Sequence, residues 1–367
     1  MMVVLFHFRA NSHIENLALV RNSWLFVDFF FVLSGFVIAA NYSQKLLGGE
    51  VSVFRFMGLR IARLYPLHLF VLALFVLTEG LMLLVRPLLG NADRMPFEGG
   101  RALSLLPENI LLLQSLGPKF GLSGIQSWNV PAWSISAELW VYLVFALTLL
   151  AGFWGTILFR LVAFAVIPVA IIVWHGGSLG LEVDGGVFRC IMGFAVGTLL
   201  WQAYRVFGTG QFKTGYWEVP VFAGMLVFVA IAPGYGITLL APLVFGLVLW
   251  VFSAEQGLLS RLFSHRVFLL LGTLSYSIYM VHTYLHARFN NLAVLVEKVS
   301  GVSLHANTSD PLFGVTLWAG DLFVLVGSLL TVAFSFMTWK YIEKPGQVLG
   351  RRWMGAKPSA TVQKDLS

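Results

Sequence analysis

Apolar runs of helical length recur along the chain, separated by short stretches that hold Gly, Pro, Asn and most of the charges. Crossing about 30 Å of hydrocarbon takes roughly 20 helical residues. The runs at 24–40, 65–86, 132–151, 156–174, 187–203, 217–232, 237–252, 267–286 and 314–339 approach that length. With an apolar stub at 1–8, they predict an all-α integral membrane protein, a bundle of about ten transmembrane helices. The Pro-Gly break at 233–236 predicts a tight turn or a kink. The stub would rise only about 12 Å as a helix, and reads as the second half of a span truncated at its N-terminal side. It lacks the basic region and small-residue cleavage site of a signal peptide. No internal repeat or linker divides the chain, so the pattern predicts one transmembrane unit over 1–340 and a basic cytoplasmic tail over 341–367.

Composition removes the alternatives. Hydrophobic residues make up 58% of the chain and charged residues 11%, against about a quarter charged in soluble domains, with a mean hydropathy of +0.83. Disorder is excluded, and a soluble fold would need an enormous apolar core or a greasy surface. The net charge of +7 sits in interhelical segments and not on one face, which argues against nucleic acid as a partner and leaves membrane lipid. A single cysteine, Cys190, excludes an intrachain disulfide and a Cys-based metal cluster. With a cytoplasmic N-terminus, the inside segments hold Lys45, Arg55, Arg60, Arg63, Arg205, Lys213, Arg261 and Arg266, and the tail adds Lys340, Lys344, Arg351, Arg352, Lys357 and Lys364. The outside holds fewer cations: Arg9, Arg21, Arg86, Arg94, Arg101, Lys119, Arg288 and Lys298, and three of these fall in the long 87–131 loop, with Arg86 at its edge. That asymmetry predicts N-in, C-in.

Several polar residues fall where chemistry is conceivable. His7 lies at the outer end of the stub, where a neutral imidazole could take a proton or merely anchor the interface. Asp28 and Glu138 are carboxylates near outer helix ends, costly in hydrocarbon unless they face a cavity or a cation. Glu79 and Asp321 are also acids inside spans, and for them a structural role is expected. Arg60 and Arg63, three apart, form one cationic face suited to phosphates, although inside-positive loops place Arg there anyway. Trp133, Ser134 and Ser136 open the fourth span, and no Gly-x-Ser-x-Gly elbow surrounds Ser134 to make it a nucleophile. His282 and His286 share a helical face, but no third ligand at sensible spacing points to a metal; Tyr276 and His282 are expected to line a cavity.

Local strings spread over nearly the whole chain carry a more specific signal. They are Val3-Val4-Leu5-Phe6-His7-Phe8, Asp28-Phe29-Phe30-Phe31-Val32-Leu33-Ser34-Gly35-Phe36, Arg60-Ile61-Ala62-Arg63-Leu64-Tyr65-Pro66-Leu67 and Trp133-Ser134-Ile135-Ser136-Ala137-Glu138. Near the C-terminus, Gly272-Thr273-Leu274-Ser275-Tyr276-Ser277-Ile278-Tyr279-Met280-Val281-His282 and Tyr341-Ile342-Glu343-Lys344-Pro345 fit the same pattern. In order and spacing the chain resembles the membrane-bound acyltransferase 3 family, whose members O-acylate carbohydrates and other hydroxyl acceptors. The resemblance implies a ten-helix fold, an acyl-CoA co-substrate with acetyl as the default acyl group, and His7 as catalytic base. It further implies Asp28 and Glu138 in support, Arg60 and Arg63 at the CoA phosphates, and Trp133, Ser134, Ser136, Tyr276 and His282 at the substrate. The family places an Arg about eleven residues before its His. Here that position would precede Met1, so either the start lies upstream or this chain lacks a donor-site cation.

Sorting these residues by depth suggests a two-sided reaction in a bacterial cytoplasmic membrane. Acyl-CoA docks from the cytoplasm at Arg60 and Arg63, and the acceptor hydroxyl arrives from outside, near His7 and Glu138, flanked by loops 87–131 and 287–313. A non-catalytic relative and a secondary transporter are the alternatives, the latter weakened by the lack of repeated halves.

Overall fold

The computed structural model describes residues 1–89, 95–118, 121–208, 214–306 and 312–355. Of the loop and tail cations counted above, Arg94, Lys119, Lys213, Lys357 and Lys364 lie outside these residues. Every predicted span is helical. The helices are α1 (Met2–Phe6), α2 (Phe26–Leu47), α3 (Val53–Leu89), α4 (Ala132–Leu150), α5 (Gly152–His175) and α6 (Gly186–Phe207). They are followed by α7 (Glu218–Ile231), α8 (Ala241–Phe252), α9 (Arg266–Thr273), α10 (Ser275–Ser300), α11 (Leu317–Thr338) and α12 (Lys344–Trp353). Among the described residues, six helices are long and apolar enough to cross a membrane, and α9 with α10 makes a seventh if the bent pair is one span. The chain is an all-α membrane protein. Residues 233–236 form the expected turn, with Gly236 at φ +67°.

Three boundaries differ from the hydropathy pattern, each for a local reason. Helix α3 begins at Val53, not 65, because the Ser52 hydroxyl accepts from the Arg55 amide (3.2 Å) and starts the helix within the basic segment. The span expected at 267–286 is broken at Leu274, where α9 and α10 meet at 67°. Helix α10 then continues through much of the expected 287–313 loop and stops at Gly301, which takes the left-handed conformation (φ 72°) that favours glycine.

The tightest seam joins α2 to α6. A Cβ on Gly35 would strike the Phe194 carbonyl oxygen, and one on Gly197 would strike that of Val32. A Cβ on Gly193 would press on Phe31. Lipid gives helices no hydrophobic reason to associate, so backbone approach at small residues supplies packing that side chains would prevent. Polar pins fix the rest. Glu79 accepts from Arg101 and from the Phe97 amide (3.3 Å). Asp321 holds His13 Nδ1 (2.6 Å) and the Ile14 amide (3.2 Å). Both acids therefore play the structural part expected of them. In the tail, α12 lies along the start of α3, with Gly346 against Pro66 and Gly350 against Ala62.

Candidate active site

A cavity of about 280 Å³ opens between α2, α3, α4 and the start of α10. It gathers Arg60, Arg63, Ser134, Glu138 and Tyr276, which the sequence singled out, and adds Tyr279. Arg60 donates to the Tyr42 hydroxyl (2.8 Å), its guanidinium 4.8 Å from the centre of that ring. Arg63 reaches the buried Glu343 at 3.4 Å but leaves 45% of its side chain exposed. Glu343 also accepts from Ser277 Oγ (2.7 Å) and Gln347 Nε2 (3.0 Å), so it is shared rather than consumed by Arg63. Glu138 accepts from the Tyr142 hydroxyl (2.5 Å), which in turn receives Ser34 Oγ (2.8 Å). The Tyr276 hydroxyl donates to the Leu64 carbonyl (2.6 Å), tying the start of α10 to α3.

From this cationic end, one face of α10 leads to a pair of histidines. Tyr276, Tyr279, His282 and His286 recur at helical spacing, covering about 15 Å along the axis. Tyr279 shares a hydrogen bond with Ser134 Oγ (2.8 Å), and its own carbonyl accepts from His282 Nδ1 (2.7 Å). His7 Nδ1 lies 2.8 Å from the Val3 carbonyl and 3.2 Å from His282 Nε2. Carbonyls only accept, so the Nδ1 of each ring carries a proton. His282 Nε2 then presents a lone pair to His7 Nδ1–H, and the basic lone pair of His7 is on Nε2. One turn further, the His286 ring lies tilted over Phe8 with ring centres 3.8 Å apart, and among the described residues neither of its nitrogens has a hydrogen-bond partner.

Three predicted residues stand apart. Asp28 does not meet His7: Arg189 grips it at 2.9 and 2.7 Å, and both are buried. Trp133 faces the same pair, its ring 5.3 Å from the Arg189 guanidinium, with Trp24 at 5.0 Å on another side. Ser136 turns away, donating to the Leu112 carbonyl (2.6 Å) and pairing with Ser115 Oγ (2.8 Å). The reason is helical angle: Ser134 and Glu138 are four apart and share a face, whereas residues one or two positions away cannot join them. Arg189, Tyr142, Tyr279 and Glu343 are contributors that the sequence reading did not single out. An Arg within the apolar run 187–203 was itself a signal, since a buried cation needs a buried acid.

Among the described residues, no group of three His, Cys, Asp or Glu is placed to hold a metal. Comparison with known proteins gives two partial matches. Protein 2 of the picA locus in Rhizobium radiobacter is 35% identical over 128 residues, 34% of this chain and 65% of that protein. Acyltransferase MdmB of Streptomyces mycarofaciens is 33% identical over 121 residues, 33% of this chain and 27% of that protein. The matched segments thus cover less than two thirds of either relative. No solved structure matches. Residues 1–340 match the acyltransferase 3 family, described as an acyltransferase domain. With the match spanning nearly the whole helical bundle, the chain belongs to that family.

Proposed function

We propose that this chain is an acyl-CoA-dependent O-acyltransferase that moves an acyl group, acetyl by default, to a hydroxyl of a carbohydrate or similar acceptor. The observation that carries the reading is the face of α10, which links the guanidinium end of the cavity to the His7–His282 pair. CoA phosphates dock at Arg60 and Arg63, and the slender pantetheine arm follows the cavity past Tyr276 toward Ser134 and Tyr279. His7 Nε2 removes the acceptor's proton as its oxygen attacks the thioester carbonyl. The new C–O bond forms, the C–S bond breaks, and His7 returns the proton to the departing thiolate. His282 Nε2 and the Val3 carbonyl hold the opposite nitrogen, so the imidazolium formed midway keeps two acceptors on its Nδ1–H. Glu138 lines the cavity within reach of the passing substrate and is oriented by Tyr142. We place the chain in a bacterial cytoplasmic membrane with both termini inside, so that the donor enters from the cytoplasm and the acceptor from the opposite face. A tail over 341–367 completes this arrangement on the cytoplasmic side.

The test uses sealed membrane vesicles of both orientations and acyl-CoA labelled in its acyl group. Label should reach a hydroxyl acceptor only when donor is supplied to the face bearing Arg60 and Arg63. His7→Ala should cut transfer at least 100-fold, at the low end of what a positioned base contributes, and leave acyl-CoA binding intact. Full transfer in His7→Ala removes the base, and equal transfer from either face removes the two-sided path.

A further inference from the structure

A second cavity, also about 280 Å³, lies on the other side of α2 from the one above, between the ends of α2, α4 and α6 and the start of α5. Arg160 and Arg205 both line it, with the amides of Gln44 and Gln202. Among the described residues, no carboxylate lines it. Arg205 sits two residues before the end of α6, but Arg160 is eight residues into α5, about 12 Å along the axis. A cation this far inside an apolar helix is costly unless it faces a cavity or a partner. Here its guanidinium bends to Gln202 Oε1, a neutral acceptor that leaves the charge uncancelled.

The walls say what kind of anion would cancel it. Phe145, Leu149, Phe153 and Phe159 line the same space. The outer surface of α5 is bare: Phe153 is 71% and Trp154 77% exposed, and that surface faces lipid in a membrane. A soluble anion could pair with the guanidinia but would leave the aromatic walls unfilled. An amphiphile would meet guanidinia and amides at its head and aromatic side chains along its chains.

We propose that this cavity binds the phosphate headgroup of an anionic glycerophospholipid, with Arg160 and Arg205 as the paired cations and the acyl chains running beside α5. The site is separate from the donor cavity and independent of the reaction assigned to it. The shared chemistry is a phosphate anion, and free phosphate is the competing source.

The protein is reconstituted in nanodiscs of equal phosphatidylglycerol and phosphatidylcholine, and the lipid that remains bound is weighed by native mass spectrometry. Phosphatidylglycerol should be enriched over phosphatidylcholine, and Arg160→Gln with Arg205→Gln should lower that enrichment about tenfold. The Arg160→Lys, Arg205→Lys pair should keep most of it. Arg205→Gln alone, at an exposed helix end, gives the reading if the double variant fails to fold. Equal retention of both lipids, or enrichment indifferent to the Gln substitutions, overturns the proposal. Displacement of phosphatidylglycerol by inorganic phosphate or glycerol phosphate at comparable concentration also overturns it, by assigning the cavity to a free anion.

Discussion

Two regions of this protein set arginine beside carboxylates, and they have opposite designs. Between α2 and α6, Arg189 and Asp28 meet through two parallel hydrogen bonds, with Trp24 and Trp133 on the guanidinium and carbonyls of Trp24 and Leu181 taking other donors. Four of the five N–H donors are taken and both residues are buried, so little is left to offer a ligand. In the cavity between α2, α3, α4 and α10, Arg63 leans on Glu343 at 3.4 Å and remains nearly half exposed, while Arg60 spends one donor on a tyrosine hydroxyl. The same residue types therefore serve as a rivet in one place and as an open hand in the other. The difference lies in how completely the charge is matched.

The comparison is broken most severely at the rivet. Arg189→Ala leaves Asp28 as an unpaired charge in the bundle core and should destabilise the fold by about 3–5 kcal/mol. Thermal unfolding in detergent measures this, and replacing both partners with apolar residues of similar volume should recover most of the loss. At the open end the effect is smaller and falls on binding. Arg63→Ala or Arg60→Ala should weaken acyl-CoA by about 1.5–3 kcal/mol, the worth of a charged hydrogen bond, with the unfolding midpoint nearly unchanged. Equilibrium binding of a fluorescent acyl-CoA reports it, and unchanged affinity in both variants would make these residues ordinary loop cations. The smallest effect is expected between the two ends of α10. Tyr279→Phe removes one hydroxyl contact with Ser134 but keeps the carbonyl that orients His282. Transfer should fall by about 0.5–1.5 kcal/mol in barrier, several-fold in rate, with acyl-CoA affinity preserved. A loss as large as that in His7→Ala would mean that Tyr279 touches the reacting atoms.

Much of this was legible in the chain because hydrocarbon imposes its own grammar. Apolar runs mark helices wherever backbone groups must be paired internally, so each predicted span has its helix. The bend at Leu274 was hidden, since Gly272 to Ser277 is short and uncharged and lies between apolar stretches that together read as one span. Motif strings brought Arg60, Arg63, Ser134, Glu138 and Tyr276 to one cavity but carried Asp28, Trp133 and Ser136 along with them. A string is linear and a helix face is not, so neighbours in sequence are thrown to different sides. Arg189 and Glu343 went unassigned because their partners, Asp28 and Arg63, lie 161 and 280 residues away. Such pairings belong to tertiary structure alone.

The glycine seam between α2 and α6 also fixes how this protein can vary. At Gly35, Gly193 and Gly197 even alanine would force a backbone or a packed side chain to shift. On the lipid face of α5, Trp154, Leu158 and Leu161 are largely exposed and could be exchanged among apolar residues at little cost. In a library of random substitutions selected for folded protein, α6 should therefore emerge nearly frozen at two successive turns while α5 drifts. The smallest side chains in the molecule would be its least replaceable.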